Sequence, residues 1–169
     1  TAVPSSSYIR ALAVSAGVLY VGGTFNAVKI APNTPVTNTN NIAQWSIGGA
    51  SWSAMGTGLN GAVSSLLATS SDVFVGGSFT SAGGDSNANR IARWQINNST
   101  WNALGTGLNG TVSALAFSSG TLYVGGAFSD AGGDTTADWV ATFNGTSWGS
   151  LGNGPSGPVE PLIFFGILL

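Results

Sequence analysis

Leu19-Tyr-Val-Gly-Gly-Thr-Phe25 returns twice along the chain, as Val73-Phe-Val-Gly-Gly-Ser-Phe79 and Leu122-Tyr-Val-Gly-Gly-Ala-Phe128. Each copy reads as a short, β-rich apolar strand that runs into a Gly-Gly pair, after which an aromatic returns the chain to the core. The flanks repeat in register. Upstream lie Ile9-Arg-Ala-Leu-Ala-Val14, Val63-Ser-Ser-Leu-Leu-Ala68 and Val112-Ser-Ala-Leu-Ala-Phe117. Downstream lie Ile42-Ala-Gln-Trp45, Ile91-Ala-Arg-Trp94 and Val140-Ala-Thr-Phe143, each followed by a further Trp at Trp52, Trp101 and Trp148.

A repeat of about fifty residues points to a propeller or array of like units rather than to two ordinary domains. No window sustains apolar residues at three-and-four spacing, so the expected class is all-β, without helices. The reading is of four-stranded antiparallel blades, three in full, plus the first strand of a fourth. The divisions are a lead-in over 1–7, blades over 8–56, 57–105 and 106–152, and a partial unit over 153–169. Ala16-Gly17 is expected to close a tight hairpin, and the long connection from Phe25 to Asn41 is expected to be a surface loop. Gly56-Thr-Gly-Leu-Asn-Gly61 and Gly105-Thr-Gly-Leu-Asn-Gly110 are identical linkers, while Gly152-Asn-Gly-Pro-Ser-Gly157 is a degraded third version. The Gly-Gly pairs are expected to leave room for the Trp residues of the later strands.

Composition narrows the function. Among 169 residues there are 4 Lys+Arg, 6 Asp+Glu, no His and no Cys. So few cations provide no basic surface to follow a nucleic-acid backbone. Without Cys or His there is no disulfide framework, catalytic triad, haem ligand or usual zinc set. The solvated face is Ser, Thr, Asn and Gly, a weakly charged coat suited to a lattice, a fibre or a glycan-coated exterior. No apolar run reaches the length of a spanning helix. Thr1 opens the sequence without Met, as expected of a processed or truncated chain.

The wording Tyr-Val-Gly-Gly-x-Phe-x-x-Ala-Gly-Gly followed by Ile-Ala-Arg-Trp, with the aromatic seven residues before the next Trp (Trp45 to Trp52, Trp94 to Trp101), resembles the kelch-type β-propeller repeat. It is more similar still to the kelch-like repeats of secreted bacterial surface proteins and fungal cortical polarity markers. The third unit departs from the pattern, with Phe143 only five residues before Trp148. The resemblance spans residues 8 to 151, and it implies a non-catalytic structural or binding module at the cell exterior.

Several residues carry candidate chemistry. Asp85, Asn87 and Asn89, like Asp134 and Asp138, place oxygen side chains at alternate positions after a Gly-Gly turn, the spacing calcium loops use. The same residues also cap turns. Trp139 stands where the sibling units have Asn41 and Arg90, and could stack on a sugar or fill a local gap. Arg90 and Arg93 could clamp a carboxylate or pair with Asp85 or a neighbouring loop. Asp130, Asp134 and Asp138 share a loop, which keeps a lectin or a carbohydrate-active enzyme as the alternative function. Asn97, Asn98, Asn109 and Asn144 head glycosylation sequons. Val159-Glu-Pro-Leu-Ile-Phe164 aligns with Val112 to Phe117. Val159, Leu162, Ile163, Phe164, Phe165, Ile167, Leu168 and Leu169 are therefore expected to form an assembly strand. It would pair with another copy of the chain, or with the rest of a longer parent, joining open ends head to tail.

Overall fold

The alternation of each apolar strand decides which neighbour its side chains meet. In a computed structural model describing residues 7–30, 34–152 and 154–160, every regular element is a β-strand. The first blade contains β1 (Tyr8–Ser15), β2 (Val18–Thr24), β5 (Ile42–Ser46) and β6 (Ser51–Ser53). The second contains β7 (Val63–Ala68), β8 (Asp72–Gly77), β9 (Ile91–Gln95) and β10 (Thr100–Ala103), and the third β11 (Thr111–Ser118), β12 (Thr121–Ala127), β13 (Val140–Phe143) and β14 (Trp148–Ser150). Each is a four-stranded antiparallel meander with its strands in chain order. Ala16 and Gly17 both take positive φ, as the expected two-residue hairpin requires.

On each second strand, successive side chains go to opposite faces. Tyr20 joins Val73 and Val75 in one buried cluster between the first and second blades. Phe74 joins Leu122 and Val124 in the next, between the second and third. The central residue of each strand therefore faces the following blade, and its two flanking residues face the preceding one. Near-continuous apolar strands are what this stacking needs, because both faces of the middle sheet are buried.

The connection from Phe25 to Asn41 is not a plain loop. It carries a small hairpin, β3 (Val28–Ile30) paired with β4 (Thr34–Val36). The buried Thr39 accepts from the Val28 N–H at 3.0 Å and donates to Val36 O at 2.9 Å, which holds the hairpin base closed. In blades two and three, Ala88 and Ala137 stand where Thr39 is, and both are buried.

The Gly-Gly pairs also have a different purpose from the one expected. A methyl group on Gly22 would lie 2.9 Å from Val63 Cβ, and one on Gly76 would lie 3.0 Å from Val112 Cβ. The first glycine is thus a notch for the leading valine of the next blade, not for a Trp. The second glycine passes against the blade's own first strand: methyls on Gly23, Gly77 and Gly126 would meet the carbonyl carbons of Tyr8, Ala62 and Thr111 at 2.9, 3.1 and 3.0 Å. At these points each first strand carries a bulge, between Ile9 and Ala11, Val63 and Ser65, and Val112 and Ala114. Only a residue without Cβ admits the bulged backbone so closely.

The third blade keeps its outer hairpin despite the shortened spacing. Phe143 pairs with Trp148 across β13 and β14, ring centroids 5.0 Å apart, as Trp94 pairs with Trp101 at 5.1 Å. Asn144 makes the shorter connection possible, its Oδ1 accepting from the N–H groups of Thr146 and Ser147.

Candidate functional site

Three devices join one blade to the next, and together they define the molecule's working surfaces. The first is the valine in the glycine notch. The second is the outer Trp: Trp101 Nε1 donates to Met55 O and Trp148 Nε1 to Leu104 O, each at 2.8 Å and each crossing to the end of the preceding blade. The third is the linker. The buried side chains of Leu59 and Leu108 anchor it, while their N–H groups donate to Asn40 O and Asn89 O at 3.0 Å. The following Asn then clamps the next blade: Asn60 Oδ1 accepts from Thr80 and Ser81 N–H, and Asn109 Oδ1 from Ser129 and Asp130 N–H.

At the two ends of the stack these devices have no further blade to engage among the described residues. Ile9, the counterpart of Val63 and Val112, is 65% exposed where both of those are fully buried. Leu12 and Val14 on the same face of β1 are exposed as well. Trp52 pairs with Trp45 at 5.2 Å, but its Nε1 has no carbonyl partner among the described residues. The outer half of this face is better covered. Val28 of the inserted hairpin and Trp52 pack against buried Val21, Phe25 and Ala43. A groove of about 230 Å³ remains between Tyr8, Ile9, Phe25, Val28 and Trp52.

At the other end, Tyr123 and Leu151 are exposed. The third notch, at Gly125, is filled by Val159: a methyl on Gly125 would lie 2.8 Å from Val159 Cγ1. The Val159 N–H donates to Gly126 O at 3.2 Å. Val159 thus seats on the chain's own third blade in the place that Val63 and Val112 take in theirs. The other residues expected in the assembly strand, Leu162 to Leu169, lie outside the described residues.

The remaining candidates make the following local contacts. Asp85 Oδ1 accepts from Asn87 N–H at 2.9 Å, and Asp134 Oδ1 accepts from the hydroxyl and N–H of Thr136 at 2.6 and 3.0 Å, so both close Asx-type turns. The Thr136 hydroxyl, followed by its N–H, holds the Asp134 carboxyl below the ordinary carboxylate range. Asp130 caps the neighbouring turn by accepting from Gly133 N–H. Asn89 and Asp138 contribute backbone carbonyls, Asn89 to Leu108 N–H and Asp138 to Val140 N–H. Among the described residues no three carboxylates converge.

Trp139 shares its backbone with its siblings. Asn41, Arg90 and Trp139 have φ of 62°, 65° and 62°. Each donates its N–H to the aromatic that closes the Gly-Gly motif, Phe25, Phe79 or Phe128, and accepts from the second glycine. A left-handed Trp is uncommon. Here the repeat's own hydrogen bonds impose that conformation on all three side chains. Arg90 does not reach Asp85. Its Nη1 donates to Ser78 O, and Arg93 lies 3.8 Å from Asp72 across β8 and β9. Asn97 and Asn98 are on an exposed turn, and Asn109 and Asn144, though exposed, are engaged in the hydrogen bonds given above.

One arrangement was not foreseen. A shallow groove of about 290 Å³ brings Asp85 beside Gly83, Trp94 and Trp101. The sequence signal for it, Asp at a fixed offset from the Gly-Gly turn and Trp in the last strand, was present but assigned to separate elements.

Consecutive four-stranded meanders, stacked face to face with apolar residues on both sides of the middle sheet, define the β-propeller class. Residues 66–136 match the family model of the Rax2 C-terminal beta propeller domain, which bears out the resemblance read from the repeats. Among solved structures, the computationally designed Ika4 protein superposes with a TM-score of 0.59 at 20% identity, over 96% of this chain and 82% of that one. The computationally designed Ika8 protein gives 0.58 at 19% identity, over 94% of this chain and 40% of that one. At such identities the likeness is one of fold. No curated protein matches the chain by sequence. No helix of the described residues is long and apolar enough to cross a membrane.

Proposed function

We propose that the chain is a non-catalytic structural module of propeller blades, set at the cell exterior, that completes itself by receiving a further blade against the open face of its first. The observation that carries this is Ile9: it is 65% exposed at the position where Val63 and Val112 are buried in the notch of a preceding blade. A contiguous apolar face of Ile9, Leu12 and Val14 left in water is an association site. The Trp52 indole, whose Nε1 has no partner among the described residues where Trp101 and Trp148 each bond the preceding blade, supports the same reading. A second copy of the chain, joined head to tail, supplies such a blade, and so does the remainder of a longer polypeptide. The weakly charged Ser/Thr/Asn coat and the exposed Asn97–Asn98 turn support an exterior setting. The turn-closing bonds of Asp85 and Asp134 support a module that needs no calcium, and a melting temperature unchanged by chelator is the expected result.

Light scattering on the parent chain and on Leu12→Asp tests the reading. A carboxylate placed on this face should lower the solution mass. Equal masses above that of a monomer would count against the face, and a parent that stays monomeric would count against self-assembly. The groove at Asp85 and Trp101 favours one second reading, carbohydrate binding, in which a sugar ring stacks on the half-buried indole. A glycan array with parent and Asp85→Ala separates the two: sugar binding lost on substitution would establish the lectin reading.

A further inference from the structure

At the joint between the second and third blades lies a pocket of about 120 Å³, where Asp72, Phe74 and Arg93 of the second blade meet Phe117 and Phe143 of the third. By repeat register, the first joint carries Val18, Ile96 and the larger ring of Trp94 at this place, all packed on the shared core. In the third blade Phe143 stands for that Trp, and the shortened turn sets Gly145 at the position of Ile96. Gly120 and Gly145, on the two hairpin turns at the rim, have open space where a methyl would be, so the mouth is unobstructed among the described residues. Two opposite charges stand in this pocket, in a chain with 4 Lys+Arg and 6 Asp+Glu. The repeat does not require them: the first and third blades have Val18 and Thr121 at the position of Asp72, and Gln44 and Thr142 at that of Arg93. Nor do the two satisfy each other. Arg93 Nε is buried with no hydrogen-bond partner among the described residues, and Asp72 Oδ1 is 3.8 Å from it, too far to accept. Asp72 Oδ2 accepts from the Ser71 hydroxyl at 2.6 Å. Beside them Phe117 stacks on Phe74 with ring centroids 5.6 Å apart, yet it stays 41% exposed where the sibling strands have Val14 and Ala68.

We propose that this pocket binds a small planar molecule bearing a primary amide. The amide oxygen accepts from the Arg93 guanidinium, an amide N–H donates to Asp72 Oδ1, and the flat apolar body lies against the Phe117 ring. Charge decides among the candidate guests. A carboxylate satisfies Arg93 but is repelled by Asp72, and an ammonium satisfies Asp72 but is repelled by Arg93. A neutral amide carries acceptor and donor in one plane and suits both at once. It also loses less on leaving water than an ion does, which matters in a pocket walled by three phenylalanines. The space suits one ring and its substituent: a single water takes about 10–15 Å³ on the same measure, so roughly ten waters' worth is present. The pocket lies within one chain and does not depend on the head-to-tail reading above.

The test titrates the full chain with benzamide, benzoate and benzylamine, three probes that share a ring and differ in the group it carries, and follows binding by NMR. Benzamide should bind the parent most tightly of the three. Arg93→Gln and Asp72→Thr install residues that sibling blades already carry at these positions, so both should leave the fold intact. Each should weaken benzamide binding about tenfold, the loss of a hydrogen bond to a charged group. Phe117→Ala, which installs the second blade's residue at an exposed position, should weaken it about fivefold through the lost ring contact. Leu12→Asp, at the far end of the stack, should leave the constant unchanged whether or not it alters the solution mass. Tighter binding of benzoate would overturn the amide and make Arg93 a carboxylate clamp. Tighter binding of benzylamine would overturn it in favour of a cation held by Asp72. No binding of any probe, or benzamide binding that Arg93→Gln, Asp72→Thr and Phe117→Ala all leave unchanged, would overturn the pocket itself.

Discussion

The corresponding faces of the first and second blades carry apolar residues in the same register and meet different environments. On the second blade Val63, Val73, Val75 and Trp94 are sealed by the first blade, and Trp101 bonds across the joint. On the first blade the counterparts Ile9, Leu19, Val21, Trp45 and Trp52 face outward, with the inserted hairpin covering only the outer half. The comparison teaches that a blade's sequence specifies half an interface and the neighbour supplies the rest. It also shows how an end can be treated locally: an insertion covers half of one end face, and Val159 fills the glycine notch at the other.

The largest way to break this comparison is at the outer tryptophans. Trp101→Ala should destabilise by about 3–5 kcal/mol, as large aromatic truncations do. Trp52→Ala should cost less, by roughly the 1 kcal/mol of a hydrogen bond that Trp101 makes and for which Trp52 has no partner among the described residues. Equal losses in chemical denaturation would show that the clasp to Met55 O contributes nothing.

The last residue of each blade sharpens the same point. Leu104 is 1% exposed beneath the third blade, whereas Leu151, its counterpart, is 50% exposed with no blade above it among the described residues. Leu104→Ala should cost about 2–5 kcal/mol, and Leu151→Ala should stay within about 0.5 kcal/mol. A large loss at Leu151 would mean that the end face is covered in solution.

Gly76→Ala drives a methyl into Val112 and should cost about 1–3 kcal/mol by overpacking. Gly125→Ala meets Val159, which unlike Val112 is in no strand, so its thermal shift should be smaller. Equal shifts would mark Val159 as being as firmly held as Val112. Next in size, Asn109→Ala leaves two N–H groups of the third blade without their clamp, for a loss of about 1 kcal/mol.

The smallest effect concerns pH. The Thr136 hydrogen bonds lower the Asp134 titration in the folded chain. The stability linked to this group is therefore present above the ordinary carboxylate range and is lost as pH falls through the lowered folded value. Thr136→Val removes the hydroxyl donor and should move the Asp134 titration upward, as followed by carboxyl NMR. An unmoved titration would dismiss the turn as its cause.

Much of this was legible in the residues. Threefold recurrence of Leu19 to Phe25 and its flanks placed all twelve blade strands, because the alternation of apolar residues and the Gly-Gly stops are local signals. The purpose of those glycines was not legible. The atoms they accommodate are about forty residues on, at Val63 and Val112, or across a bulge in the preceding strand. The β3–β4 hairpin was hidden for a different reason. Three-residue strands around Pro35 have too little periodicity to separate from a loop, and Val28 and Thr39 fix the hairpin only once they are close together. Arg93 likewise found Asp72 across a strand pair rather than Asp85 in the nearby loop.

The sequence by itself determined the repeat, the all-β class, the order of strands in each blade and the absence of a His- or Cys-based chemistry, since all of these depend on residue type and short spacing. Only the tertiary structure decided which side of each blade faces its neighbour, that an indole bonds from the second and third blades back to the one before, and that Val159 occupies the last notch. The physical reason is that an interface between stacked sheets is set by which surfaces come within contact distance, and strand alternation offers two faces without saying what will cover either.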